Sequence, residues 1–187
     1  MKQTTMRWTI LALALALAVA GNAYGDSPMR FKANLEGFNA AGVPIPTNAT
    51  GNARVEVIDD GTALAFRVIV AGIDNLLMAH IHIADEPVEL TDRAGPIAYW
   101  FTGGPPPGDN LTERVNGRLA QGFIITDGDV LDWDPMNTPD SGTVAGLIRA
   151  IMEGRASVVV HTDDLDPDTP TGVAGDSRAG ELRGTLQ

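Results

Sequence analysis

The chain contains three histidines, and two of them stand one residue apart in Ala79-His80-Ile81-His82-Ile83. Successive side chains alternate across a β-strand, so a strand here sends both imidazoles to one face and Ala79, Ile81 and Ile83 to the other. Two imidazoles placed in this way form a bidentate grip for a metal ion. The third histidine ends the β-branched run Val158-Val159-Val160-His161-Thr162, a strand that a sandwich can lay near the first. Three neutral imidazoles suit copper or zinc. The same histidines can also be satisfied by neighbouring carbonyls or acids, and spacing alone leaves both readings open.

Other chemistry is harder to build from this chain. It has no cysteine, which removes disulfides, thiolate metal sites and thiol nucleophiles. No Gly-x-Ser-x-Gly elbow or phosphate-cradling glycine loop is present. Asp163, Asp164, Asp166 and Asp168 crowd one loop, but Thr169 and Gly175 stand where a calcium loop starting at Asp164 needs glycine and glutamate, so a solvated acidic loop is expected. Asp127, Asp129, Asp132 and Asp134 are expected to cap local backbone in a turn. Enzymatic turnover is therefore not the first expectation.

Positioning these histidines requires strands. Phe31 to Leu35 alternates with period two, and Pro44-Ile45-Pro46 after it reads as a loop or sheet edge. Ala53, Val55 and Val57, the turn Asp59-Asp60-Gly61, and Leu64, Phe66, Val68 and Val70 describe a hairpin. Further strands are expected at 78–84, 97–101, 122–126, 157–161 and 181–186. Val144, Leu147, Ile148 and Ile151 follow helical spacing, with Ser141 upstream and Gly154 downstream as end signals. The fold class is all-β: an antiparallel, Greek-key-like sandwich or barrel with one short helix near 143–152. Glu181 and Arg183 alternate onto one face of the last strand, where an ion pair between them could support the metal ligands from behind.

Lys2 and Arg7 precede an apolar run from Trp8 to Ala20 and small residues ending at Gly25, the layout of a signal peptide over 1–25 followed by one domain over 26–187. That run is shorter than the roughly 20 residues a membrane helix needs. Export to a periplasmic or extracellular compartment is the expectation. Removing the segment lowers Lys plus Arg from 13 to 11 against 24 acids, leaving a markedly acidic domain with its cations dispersed along the sequence. Nucleic acid partners and membrane insertion are not expected.

Taken together, His80-Ile81-His82, Gly95-Pro96, Val158-Val159-Val160-His161-Thr162 and Gly180-Glu181-Leu182-Arg183-Gly184 resemble the CHRD (chordin-domain) family, as do Phe31 to Leu35 and Pro44-Ile45-Pro46 at the chain's opening. The resemblance implies an extracytoplasmic binding module with no assigned activity. Gly154-Arg155 through Val160-His161 and Asp163-Asp164-Leu165 are more distantly similar to Cu/Zn superoxide dismutase, whose copper strand also carries His-x-His. That likeness implies three copper-ligand positions at His80, His82 and His161. The bridging and zinc histidines of that enzyme have no counterpart, so dismutase-like redox chemistry ranks last. The competing class is a structural or protein-interaction module that binds an extracytoplasmic partner through loops such as Gly103 to Gly108.

Overall fold

A computed structural model describes residues 28–104, 114–124, 126–134, 140–166, 168 and 171–187. The expected signal segment and residues 105–108 of the glycine-proline loop lie outside the described residues. Among the described residues, eight strands and one α-helix follow in chain order: β1 (Arg30–Leu35), β2 (Thr50–Ile58), β3 (Ala63–Ile73), β4 (Leu76–Ile83), β5 (Ile97–Thr102), β6 (Val115–Ile124), α1 (Val144–Met152), β7 (Ala156–Thr162) and β8 (Leu182–Thr185).

The strands form two four-stranded antiparallel sheets, ordered β1-β2-β3-β6 and β5-β4-β7-β8. Long connections return β6 beside β3 and β7 beside β4, which gives the expected Greek-key-like crossing. Along one edge the two sheets are stitched together: Lys32 and Gln187 exchange backbone hydrogen bonds, as do Glu36 and Arg183. Among the described residues no ladder joins β5 to β6, so the architecture is a sandwich and not a closed barrel.

Period-two alternation explains most of the core. Ala33 and Leu35 of β1, Ala53, Val55 and Val57 of β2, and Leu64, Phe66, Val68 and Val70 of β3 point inward. They meet Ala79, Ile81 and Ile83 of β4, Val158 and Val160 of β7, and Leu182 of β8. The hairpin turn at Asp59-Asp60-Gly61 holds all three residues at positive φ. The apolar face of α1 buries Val144, Leu147, Ile148 and Ile151 as its spacing predicts. Its N-cap is Thr143, whose hydroxyl accepts from Gly146 N at 2.9 Å; Ser141 instead donates to Asp132.

Three strands depart from expectation. Strand β6 begins at Val115, seven residues before the expected start at Gly122. It lies at a sheet edge with shifts in register against β3, and residues between Val115 and Phe123 are at most half-buried, so its apolar periodicity is weak. Strands β4 and β7 are also more buried than a sheet with one solvated face allows: every residue of β7 is buried on both faces. Loops cover the outer face of the second sheet, and that cover determines the nature of the site.

Truncating the central β4 side chain, Ile81→Ala, is expected to cost about 2–5 kcal/mol in urea unfolding, because Ile81 is fully buried. The exposed helix residue Met152, changed to Ala, should shift stability by no more than ~0.5 kcal/mol.

Candidate metal centre

The register of the second sheet assembles the site. His80 pairs with Val159 of β7, which in turn pairs with Arg183 of β8, while Met78 pairs with His161. Directly opposed residues share a face, so His80, His82, His161 and Arg183 all lie on the outer side, away from the Ala79-Ile81-Ile83 core. Trp100, opposite His80 on β5, joins them there. Pairing thus brings the three sequence-predicted ligands together, with one ring nitrogen from each lying within 4.8 Å of the other two.

All three imidazoles are buried, with His80 only 1% exposed. A carbonyl can only accept, so the bonds His82 Nδ1 to Gly95 O (2.6 Å) and His161 Nδ1 to Arg178 O (2.7 Å) place a proton on each Nδ1. A neutral ring protonated at Nδ1 has its Nε2 lone pair free, and neither Nε2 has a protein partner. Both nitrogens of His80 also lack one, and its ring centroid lies 4.4–4.5 Å from those of His82 and His161. Orienting a ligand imidazole through a carbonyl on its other nitrogen is a common way of supporting a metal site.

Desolvation keeps the rings neutral. Burial, then the neighbouring His161 and His82, push the His80 pKa down from 6.5 to about 2. His161 is pushed down to about 4, by burial first and against the opposing pull of the Arg178 carbonyl. Burial also lowers His82, with the Gly95 bond opposing it and Arg183 adding to the shift. Neutral imidazoles are the form that binds metal.

The cover over the site depends on two glycines. Gly95 has φ 82°, and a Cβ there would run into the Ile83 carbonyl oxygen, so a side chain would displace the carbonyl that orients His82. At Gly180, with φ 111°, a Cβ would stand 2.6 Å from Val159 Cγ1, under the loop that carries Arg178. An open cleft of about 540 Å³, lined by His161, Ala40, Ala41, Arg93, Gly95 and Ala179 among others, reaches the cluster from the His161 side. Trp100, which sequence reasoning did not connect to the site, packs edge-on against His80 with centroids 4.7 Å apart. Only the β4–β5 register reveals that contact.

The expected Glu181–Arg183 ion pair does not form. Glu181 is fully buried, and its carboxylate accepts from Thr47 Oγ1 (2.6 Å), Thr162 Oγ1 (2.9 Å) and Gly175 N (2.7 Å). Three neutral donors from three segments therefore hold that charge. Arg183, also fully buried, donates through Nη1 to the carbonyls of Leu90 and Asp92, and its Nε and Nη2 have no protein acceptor. The acidic loop differs from expectation as well. Asp163 is buried and paired with Arg178, and one of its oxygens lies within 4.8 Å of an oxygen of Asp164 and one of Asp176, while Asp166 and Asp168 are exposed. Asp127 and Asp129 cap backbone as expected, accepting from Val144 N and Thr126 N.

A family model described as the CHRD domain matches residues 31–168, a span that includes all three histidines and ends before Gly180–Gly184. No curated protein matches the chain.

Because the folded pKa values lie below the unfolded value near 6.5, the unfolded chain binds more protons once the pH drops below that value. Metal-free protein should thus keep its full stability above pH 6.5 and lose it progressively toward pH 4, on the order of 3 kcal/mol from His161 alone. Urea midpoints measured across that range should fall steeply for wild type and less steeply for His161→Gln.

Proposed function

The chain belongs to the CHRD-domain family, and from that premise we propose that it is an exported binding module that holds a transition metal, copper before zinc, through His80, His82 and His161. The observation that carries this reading is that one nitrogen from each of the three buried rings lies within 4.8 Å of the others, while Nε2 of His82, Nε2 of His161 and both nitrogens of His80 lack protein partners. Metal–nitrogen bonds of about 2.0–2.1 Å require the nitrogens to stand roughly 3.3–3.6 Å apart. One nitrogen of each ring already lies within 4.8 Å of the other two, so the ligand atoms need to close by at most about 1.5 Å to meet that requirement.

Three imidazoles leave a coordination position for water or another group, and the cleft beside His161 supports access to it. The preference for copper follows from the general affinity order for nitrogen ligands. Arg183 and Glu181 serve as buried supports: the Arg183 charge disfavours protonation of His82, which helps to keep that ring in its metal-binding form, and Glu181 fastens the loop ahead of β8. Export rests on the charged-then-apolar opening from Lys2 to Ala20 and on the extracellular character of CHRD domains. Among the described residues, no helix is long and apolar enough to cross a membrane.

A second reading takes the histidines as internal hydrogen-bond donors of an interaction module, supported by the bonds to Gly95 and Arg178. Metal content separates the two. After loading with copper or zinc and desalting, wild type should retain one equivalent, and His80→Ala, His82→Ala and His161→Ala should each retain less than about a tenth of it. Circular dichroism checks that the variants remain folded. Folded wild type that retains no metal would leave only the second reading.

A further inference from the structure

The first sheet turns its outer face to solvent, and that face has a charge unlike the rest of the molecule. Its rows are fixed by register: Arg30–Glu56–Ala65–Phe123, then Lys32–Arg54–Arg67–Gln121, then Asn34–Asn52–Ile69–Arg118. Arg30, Lys32, Arg54, Arg67 and Arg118 are all exposed there. These are five of the eleven Lys and Arg that follow Gly25, so cations scattered in sequence are gathered on one face of a chain whose net charge is −11. Glu56, the one acid in these rows, is engaged by Arg30 at 3.2 Å.

The middle row carries the argument. Lys32, Arg54 and Arg67 stand directly opposite one another on adjacent strands, an arrangement that costs stability through like-charge repulsion. Nothing in the fold requires it, since these side chains point away from the core. An anionic partner would remove the repulsion on binding.

We propose that this face docks an acidic polysaccharide, a chain of uronate or sulfated sugars lying across the strands along the Lys32–Arg54–Arg67 row. Adjacent strands lie about 4.8 Å apart, so the row offers a cation at intervals close to the length of one pyranose unit. Asn34, Asn52 and Gln121 flank the cations with side-chain amides that can bond sugar hydroxyls, and Phe123, 64% exposed, offers an aromatic face for a ring.

A narrow chain suits this face better than a plane or a rod. Asp59 and Asp60 close the β2–β3 turn about 17 Å from Arg54 along the strand, beyond the ~8 Å screening length at physiological salt. A single sugar chain in the row stays clear of them, whereas a lipid surface or a duplex covering the whole face would be pressed against these acids. The inference stands apart from the metal reading and uses none of its residues.

The test is retention of the full chain on heparin-agarose and binding to soluble polygalacturonate, for wild type and for the variant Lys32→Gln/Arg54→Gln/Arg67→Gln. Wild type should bind at low salt and be released as salt rises. The variant should bind at least tenfold more weakly, yet melt no lower and carry the same metal content. The proposal is overturned if wild type flows through or if the variant binds equally well. It is equally overturned if phosphatidylglycerol vesicles or duplex DNA bind as tightly through the same row, or if sedimentation shows the row joining two copies of the chain.

Discussion

Placing three imidazoles and a guanidinium on the outer face of a sheet and then excluding water from them is the constraint on which the rest of this structure depends. Each group loses hydration, and the fold replaces only part of it: one carbonyl for His82, one for His161, two for Arg183. The cost is several kcal/mol in total by the usual magnitudes for unsatisfied buried polar atoms. A set of neutral nitrogen donors turned toward one another fits a cation, which would take up the lone pairs that the protein leaves unbonded. The loops around Gly95 and Arg178 both cover the rings and supply the orienting carbonyls.

The sequence allowed the sandwich to be read wherever a strand has one apolar face, as in β1, β2 and β3, because alternation with period two is the direct trace of one-sided burial. It also allowed the ligand trio to be read, since His80 and His82 share a face by parity and no other histidine competes with His161. Parity identifies a face but not a partner, which is why the Glu181–Arg183 ion pair was expected and is absent. The partners of Glu181 include Thr47, 134 positions earlier, and only tertiary folding brings them together. The start of β6 was hidden for the opposite reason: an edge strand with shifted register buries too little to leave a pattern.

The two outer faces of the sandwich solve opposite problems. On the second sheet, polar groups are hidden beneath loops and the environment suppresses their charge. On the first, fixed cations face solvent in direct opposition, and the molecule tolerates the repulsion because water screens it. The domain's overall acidity conceals this division, because the Lys and Arg residues that meet on one face are dispersed along the sequence.

The pairing of β4 with β7 has a kinetic meaning. His82 and His161 are separated by 79 positions, and the connection between them passes through β5, β6 and α1. Closing so long a loop is among the later and slower events of assembly. A chain held unfolded presents only the His80–His82 pair, without the third donor and without the water-excluding cover. Metal capture is thereby tied to completed folding, and a partly folded chain is a weak competitor for the same ion.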